Sequence, residues 1–311
     1  MSTLRKCFIA TALCMVALHQ HAPAQTATAP TVTADSSTFK PKVGQSGKDV
    51  IWVPTSQVLV DRMLDAVRLT SSDYLVDLGS GDGRTVITAA KRGAMARGIE
   101  YDPKMVELSK RTAKLEGVED RAIFEHADIF ESDFSDATVV TLFLLPNLNI
   151  KLRPSILNMK PGTRVLSNSF TMGDWQPDDT IDVQEGCTHF CTAYKWIVPA
   201  NVAGTWWLGD KELVLSQSYQ VVEGTLRDGG DTRAIHDGRL TGAQLVFSVG
   251  DTTYSGQVDG NTISGTINGV KGWYATRSGA TRSGATRSGA TRSGTTRSGT
   301  APAPGSPGSG S

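Results

Sequence analysis

A short apolar strand that runs into a glycine-rich turn constrains this chain more than any other stretch. The segment is YLVDLGSGDGR at 74–84, in which β-compatible residues reach Asp77 and glycines follow at 79, 81 and 83 before a helix-compatible run at 85–90. Glycine is needed where the backbone turns left-handed or where a ligand comes close to the main chain. Free N–H groups at a helix start attract a carboxylate or phosphate. The stretch therefore predicts a strand, a tight turn and a helix that bind a ligand with an anionic end.

Two acids indicate which ligand suits this turn. Similar glycine spacing also occurs in dinucleotide-binding turns. Here, however, Asp77 precedes the first glycine and Asp82 lies inside the turn, where it would repel a pyrophosphate. A ligand of the S-adenosylmethionine type fits better, because it carries an ammonium as well as a carboxylate. The alternative is a turn that only joins a strand to a helix.

The N-terminus has the pattern of a secretory signal peptide. Arg5 and Lys6 precede an apolar run at 7–18, and Ala22 and Ala24 place small residues where a signal peptidase cleaves. The run is too short to span a membrane comfortably. We expect residues 1–24 to be removed and the mature chain, without a membrane span, to be exported to the periplasm. An uncleaved membrane anchor is the alternative.

The charge balance argues against nucleic acid as the main partner. Basic and acidic residues are equal at 31 each, but the signal peptide and the tail hold seven of the basic ones, so residues 25–274 carry 24 basic against 31 acidic side chains. Nucleic-acid binding requires a positive face that neutralises phosphates. The five tail arginines could instead touch an anionic surface of the cell envelope.

The order of apolar runs predicts an α/β domain over residues 48–199, after a disordered leader at 25–47. Strands and helices alternate up to a fifth strand at 163–167, which predicts a doubly wound, mostly parallel sheet. Residues 148–159 suit a helix broken near Pro154. Two consecutive strands at 181–183 and 193–198 add an antiparallel hairpin at the edge, for seven strands in all.

A small all-β domain is predicted at 200–274, because short β-type runs separated by Gly and Asp follow one another there. The pattern favours an antiparallel sandwich or half-barrel. Trp206, Trp207 and Trp273 are either core residues or a platform for glycan or lipid. From residue 275 a five-residue unit repeats, in which Ala or Thr is followed by Thr-Arg-Ser-Gly. Such a sequence cannot build a core, so 275–311 is predicted to be a disordered tail.

Two cysteines remain after removal of the signal peptide, Cys187 and Cys191. An exported chain can keep a disulfide, and a turn between the two cysteines would be needed to close one. Either a small disulfide or two free thiols is expected. His189 lies between them, but the lack of a fourth ligand nearby argues against a metal site.

Three acids stand at or just beyond the carboxyl ends of the first three strands, where an open parallel sheet binds its ligands. We assign Asp77, with the backbone of Gly79, Ser80 and Gly81, to the amino-acid end of the ligand. Glu100 would accept from both ribose hydroxyls. Asp128, with the backbone of Ile129, would bind the adenine edge.

With these features the chain resembles the class I S-adenosylmethionine-dependent methyltransferases. Within them it is similar to the protein-lysine methyltransferases that act on the mitochondrial adenine nucleotide translocase and the ATP synthase c subunit. The resemblance covers roughly residues 50–198 and rests on Val53-Pro54-Thr55, DLGSGDGR at 77–84, Glu100 with Asp102-Pro103, and Phe170 with Asp174-Trp175-Gln176-Pro177. Asp102 replaces the asparagine of the family motif, and the C-terminal β-domain has no counterpart there.

The resemblance implies in-line transfer of a methyl group from a sulfonium to a lysine of a protein substrate. Such a step depends mainly on holding donor and acceptor in line, so no dedicated acid or base is assigned. Trp52 and Trp175 would desolvate the amine unless they only pack. Pro146 and Asn147, after the fourth strand, would line the acceptor channel. The alternative function is a non-catalytic envelope binding protein with a retained nucleoside-binding fold and a glycan- or lipid-binding β-domain.

Overall fold

The computed structural model describes residues 39–279 of the chain. The predicted signal peptide at 1–24 and most of the predicted leader lie outside these residues, as does the tail from 280 onward. From Pro41 the described chain belongs to one compact unit. None of the helices within 39–279 combines the length and the apolar character that a membrane span requires.

The first part of this unit is a seven-stranded sheet with four helices. The strand order is β3-β2-β1-β4-β5-β7-β6, and only β7 runs antiparallel to its neighbours. The predicted doubly wound, mostly parallel sheet with a hairpin at its edge is therefore confirmed. Its elements are α1 (Gln57–Ala66), β1 (Tyr74–Leu78), α2 (Arg84–Lys91), β2 (Met95–Glu100), α3 (Pro103–Leu115), β3 (Ala122–His126), β4 (Val139–Leu142), α4 (Pro146–Leu157), β5 (Arg164–Asn168), β6 (Asp179–Asp182) and β7 (Thr192–Ile197).

The sheet is covered on both faces, which explains its nearly unbroken apolar strands. Side chains alternate across a strand, so Leu75 packs with Leu59 of α1 and Val86 of α2, whereas Val76 packs with Leu152 of α4 on the other face. All four residues of β4 are buried. The carboxyl ends of β1 and β4 meet at the centre of this sheet, where the strand order reverses.

Two boundaries in this part differ from the prediction. Helix α4 begins at Pro146 and continues through Pro154 to Leu157 instead of breaking there. Pro154 is solvent-exposed, so the backbone carbonyl that loses its partner faces water and the helix tolerates the proline. The leader also ends earlier than predicted. Residues 44–52 form a hairpin, in which the Gly44 N–H donates to the Trp52 carbonyl at 2.9 Å.

The second part is a closed antiparallel barrel. Strand β9 pairs with both β8 and β10, so eight strands close a ring in the order β10-β12-β13-β14-β15-β16-β8-β9, and β11 is attached to β10 outside it. Closure replaces the predicted sandwich or half-barrel and removes the exposed sheet edges. The strands are β8 (Gly204–Leu208), β9 (Lys211–Ser218), β10 (Val221–Asp228), β11 (Asp231–Ala234), β12 (His236–Thr241), β13 (Gln244–Val249), β14 (Thr252–Asp259), β15 (Thr262–Ile267) and β16 (Lys271–Arg277).

The barrel interior is filled by side chains. Trp206 is fully buried and donates through its indole N–H to the Val202 carbonyl at 2.8 Å, and Trp273 donates to the Ser255 carbonyl at 2.9 Å. Trp207 points outward and is 42% exposed. The three tryptophans thus do not share a surface, and two of them take the core role that the sequence left open.

The barrel also includes the first repeat unit. Ala275 is buried, and Thr276 of β16 pairs with Trp207 of β8. The Arg277 guanidinium lies over the Trp206 ring, 4.4 Å from its centroid. The tail therefore does not begin at 275 as predicted. A composition of Thr, Arg, Ser and Gly does not reveal that one copy has a strand partner.

Candidate functional site

A cleft lies at the carboxyl ends of β1, β2 and β4. This is the position at which open α/β sheets bind ligands. The hairpin at 44–52 contributes to its wall, together with the glycine turn and the segment after β4. The predicted cofactor residues that line it are Asp77, Gly79, Ser80, Gly81, Glu100, Asp128 and Ile129.

The glycine turn has the backbone that the sequence predicts. Gly79, Gly81 and Gly83 have φ angles of 80°, 55° and 80°, in the left-handed region that favours glycine. A Cβ on Gly81 would come within 2.7 Å of the Trp52 indole nitrogen. The turn is also tied to the next strand, because the Gly79 and Ser80 N–H groups both donate to the Ile99 carbonyl at 2.9 and 3.0 Å. The floor of the cleft is therefore bare, rigid backbone.

Asp77 is the next-to-last residue of β1 and lines the cleft. Its carboxylate accepts a hydrogen bond of 2.6 Å from the Thr141 hydroxyl on the neighbouring strand β4. Burial raises the pKa of Asp77 to about 7, and the charges of Glu100 and Asp82 add to the rise, while the Thr141 bond opposes it. A buried acid with such a pKa gains a stable charge when a cation is placed beside it. It is therefore suited to bind an ammonium group.

Glu100 is held rigidly at the end of β2. One of its oxygens accepts from the Gly81 N–H at 2.8 Å and the other from the Asp102 N–H at 2.9 Å. A carboxylate has about four lone-pair sites, so both oxygens can still accept from a ligand. The two backbone bonds fix the carboxylate plane, which suits two adjacent hydroxyls.

Asp128 follows β3 and is paired with Lys48 of the hairpin. It also accepts from the Phe130 N–H at 3.0 Å. The hydrogen bond from Lys48 lowers the pKa of Asp128, so this acid stays ionised. Lys48 was not predicted, because it directly follows the predicted leader, where no local pattern points to the cleft. Thr141 was missed as well, since a buried threonine in an apolar run has no signal of its own.

The four predicted acceptor residues are in three different places. Trp52 lines the cleft and is half-buried. Pro146 and Asn147 are exposed at the start of α4 and do not belong to the lining, although Leu144 and Leu148 on either side of them do. Their role in the acceptor channel stays a prediction.

Trp175 has no exposed surface at all and packs beneath the barrel. Its indole N–H donates to the Gln220 side-chain oxygen at 2.9 Å, and its ring stacks on Tyr219 at 5.8 Å. Gln220 in turn donates to the Gln176 carbonyl at 2.8 Å. The structure therefore gives Trp175 the packing role that the sequence left open, because the barrel occupies the face where a substrate would have to lie.

Cys187 and Cys191 form a disulfide, with their Cα atoms 5.7 Å apart. Since residues between them turn the chain back, the two thiols reach each other despite the short separation. Residues 39–279 hold no group of His, Cys, Asp and Glu side chains arranged to bind a metal ion. The bridge is half-buried against the core that contains α1.

Comparison with known proteins identifies similar chains. The family model of the ANTKMT methyltransferase domain matches residues 77–179. A protein-lysine N-methyltransferase of Saccharolobus islandicus (strain REY15A) is 39% identical over 152 residues, which are 48% of this chain and 94% of that protein. The Homo sapiens lysine N-methyltransferase of the ATP synthase c subunit is 34% identical over 128 residues, which are 41% of this chain and 54% of that protein.

Among solved structures, an RNA methyltransferase from Salinibacter ruber in complex with S-adenosyl-L-homocysteine is 47% identical. It covers 48% of this chain and 96% of its own, with a TM-score of 0.45. The chain thus spans nearly all of the archaeal relative but about half of the human one. Family membership therefore rests on the archaeal relative and the family model.

Proposed function

This chain belongs to the protein-lysine N-methyltransferase family, and we propose that it methylates the side-chain amine of lysine residues in a protein substrate. It is an enzyme, and S-adenosylmethionine is its cofactor. The observation that carries the proposal is the cleft, because Asp77, Glu100 and Asp128 from three adjacent strands line one cavity.

We assign the cofactor-binding roles from the geometry of these acids. Asp77 is buried and takes the ammonium, which stabilises its ionised form. Glu100, fixed by two backbone N–H groups, accepts from the ribose hydroxyls. Asp128 and Ile129 lie at the far wall and take the adenine edge. The bare backbone of the glycine turn allows close approach of the ligand, and a Cβ on Gly81 would clash with the Trp52 indole nitrogen, 2.7 Å away.

The acceptor amine must be neutral to react. A lysine pKa near 10.4 lies about three units above neutral pH, so exposing the neutral amine costs roughly 4 kcal/mol. Asp77, Glu100 and Asp128 would hold S-adenosylmethionine, whose sulfonium would supply an electrophilic methyl group to the neutral amine. The chain lowers the cost by desolvation, which lowers the pKa of an amine in an apolar site. Trp52, Phe143 and Leu144 provide apolar surface in the cleft.

The charge of the folded part favours a cationic substrate. Residues 39–279 carry 25 basic against 30 acidic side chains. A negative field attracts lysine-bearing segments and repels phosphate backbones. This supports a protein acceptor rather than a nucleic acid.

The proposal is tested first by calorimetric titration with S-adenosylmethionine. We expect one site per chain, with at least tenfold weaker binding in Asp77→Ala and in Glu100→Ala. Unchanged affinity in both variants would refute the site assignment. Methyl transfer is then measured with labelled cofactor and an envelope extract, followed by amino-acid analysis for methyllysine. Incorporation no higher than in the Asp77→Ala control would refute the lysine acceptor.

We also propose that the chain is exported to the periplasm. The pattern at residues 1–24 supports this, and so does the disulfide between Cys187 and Cys191, since disulfides persist in oxidising compartments. A reporter active only outside the cytoplasm, fused after residue 30, should be active. A matched fusion with Arg5 and Lys6 replaced by glutamate should not. Retention of the unaltered fusion in the cytoplasm would contradict export.

A further inference from the structure

Three phenylalanines gather beside the cleft. Phe143 follows β4, Phe170 follows β5 and Phe190 lies in the loop before β7, so three separate segments deliver them to one place. The ring centroid of Phe143 is 6.2 Å from that of Phe170 and 5.2 Å from that of Phe190, and the other two are 6.4 Å apart. Phe143 also lines the cofactor cleft. The aromatic cluster therefore continues the cleft outward, on the side away from Asp128.

None of the three rings is fully buried, and Phe190 is 43% exposed. Aromatic residues that serve only packing are usually covered, as Trp206 and Phe247 are in the barrel. Here instead the rings present a partly open surface at the mouth of a cleft. A surface of this kind suits an apolar chain that ends in a cation, because aromatic faces attract ammonium groups.

The positions of the outer two rings are fixed by the backbone. The Phe170 carbonyl accepts from the Ser167 hydroxyl at 2.6 Å and from the Asn149 amide at 3.2 Å. Phe190 has a φ of 57°, a left-handed conformation that is unusual for an aromatic residue. It is held there within the loop that the Cys187–Cys191 disulfide closes. Such local strain persists where the surroundings impose it, and it is concentrated at functional sites.

The loop is also anchored at its other end. The Ser56 hydroxyl at the start of α1 donates to the Gly186 carbonyl at 3.4 Å, and Val58 of α1 lies directly against Gly186. The disulfide itself packs against the core. Phe190 is thus attached to a fixed frame rather than to a loop free to move away from the cleft.

We propose that Phe143, Phe170 and Phe190 form the channel that takes the substrate lysine side chain, with Phe190 as the outer wall and the disulfide as the device that positions it. The inference rests on the proposed function, because it names the part of that site which recognises the acceptor. The four-carbon stem lies along the rings, and the ammonium or its methylated product lies against their faces.

The test uses binding, so that it does not depend on turnover. The probe is 4-hydroxybutyl-trimethylammonium, which reproduces a trimethylated lysine side chain, and its neutral control is 5,5-dimethylhexan-1-ol, which has the same shape. Saturation-transfer NMR is recorded with the full chain and saturating S-adenosylhomocysteine. We expect the cation to bind at least threefold more tightly than the neutral control.

Three variants locate the site. Phe190→Ala should weaken binding of the cation at least fivefold, and Cys187→Ser with Cys191→Ser should have a similar effect because the ring is released. Trp207→Ala is the matched control, since this barrel residue is exposed to the same extent, and it should bind like the unaltered chain. S-adenosylhomocysteine affinity should stay within twofold in all three.

Equal binding of the cation by Phe190→Ala and the unaltered chain would overturn the channel. Full binding by the double cysteine variant would overturn the positioning role of the disulfide. Both results are distinguishable from failure of the proposed function, which is read from methyllysine formation and not from the probe. Where turnover is measured, Phe190→Ala should raise KM for the acceptor at least fivefold and leave KM for the cofactor unchanged.

Discussion

The two sheets of this chain treat their interiors in opposite ways. The parallel sheet is open, and its reversal of strand order leaves a cleft between the ends of β1 and β4, where the buried acid Asp77 lies. The antiparallel sheet closes on itself and fills its interior with side chains such as Trp206, Phe247 and Trp273. Polar groups at the centre of the first sheet suit ligand binding, whereas the centre of the second provides only stability. Substitutions in each sheet and at their junction test whether stability and ligand binding are separate in this way.

The largest effect should come from the barrel core. Trp206→Ala removes a fully buried indole and should cost about 3 to 5 kcal/mol of unfolding free energy, with part of the loss from the cavity left behind. S-adenosylmethionine affinity of the folded variant should be unchanged, because Trp206 is remote from the cleft lining. Denaturant unfolding and calorimetric titration measure the two quantities. Trp207→Ala, its exposed neighbour, should change stability by less than about 0.5 kcal/mol. A joint loss of stability and affinity in Trp206→Ala would show that the two sheets are not separate in function.

At Asp77 the ionised side chain that suits cofactor binding should lower the stability of the folded chain. Its pKa is about 7 in the folded chain against 3.8 in the unfolded one, so below pH 3.8 its contribution is fully present and it is lost as pH rises to about 7. The loss is about 4 kcal/mol in total, from roughly 1.4 kcal/mol per pK unit. Asp77→Asn should lack this decline and be more stable than the unaltered chain at pH 8.

Cofactor affinity reports the same ionisation. The ammonium of the cofactor favours the charged form of Asp77, so affinity should rise with pH up to about 7 in the unaltered chain. Asp77→Asn should bind at least tenfold more weakly and without this pH dependence. Unfolding curves and titrations at pH 5, 6, 7 and 8 check both. Equal pH slopes in the two proteins would show that Asp77 is not the buried acid responsible.

The junction between the sheets should have an intermediate effect. Gln220→Ala removes the acceptor of the Trp175 indole N–H and leaves that group buried without a partner, which costs about 1 to 3 kcal/mol. Unfolding free energy is the measurement. Gln244→Ala, at an exposed position of the barrel, is the control and should change stability by less than about 0.5 kcal/mol. Equal stability of Gln220→Ala and the unaltered chain would mean that the barrel does not hold Trp175 through this bond.

The smallest effect is expected at the rim of the same junction. Arg239 of the barrel pairs with Asp178 at 2.6 Å, but half of the arginine side chain is exposed. Exposed ion pairs contribute about 0 to 1 kcal/mol and less at high salt. Arg239→Ala should therefore change unfolding free energy by less than about 1 kcal/mol, and by less still in 1 M salt. A larger change would show that the ion pair stabilises the junction more than an exposed pair does.

The sequence predicted the fold of the first domain well because its signals are local. A strand that ends in Asp77 and three alternate glycines can be read from one window, and the alternation of strands and helices implies the parallel sheet. The barrel was predicted only as short strands, since closure depends on the pairing of β9 with β10 and of β8 with β16. In the latter pair Trp207 lies opposite Thr276, 69 positions further along the chain. No local sequence pattern shows which two strands pair to close the barrel. The first Thr-Arg-Ser-Gly unit was placed in the tail for the same reason.

At the site, the residues found by sequence are those whose chemistry is unusual for their position. An acid after a strand is conspicuous, so Asp77, Glu100 and Asp128 were found. Lys48 and Thr141 were not, because a lysine next to a polar leader and a threonine in an apolar strand look ordinary until the fold places them beside an acid. For Trp175 the sequence left both packing and contact with the substrate open, since a sequence does not show that the side chain is fully buried.

The amino-acid sequence was enough to predict the methyltransferase domain, the acids of its cleft and the glycine turn between them. Backbone conformation and hydrophobic periodicity depend on only a few neighbouring residues. The tertiary structure was needed to show that the barrel closes, that Trp206 and Trp273 are core, that Lys48 pairs with Asp128 and that Phe190, in the loop of a disulfide, lies beside Phe143. Those contacts join residues far apart in the chain. The stabilisation that these contacts provide depends on which surfaces remain exposed after the individual helices and strands have formed.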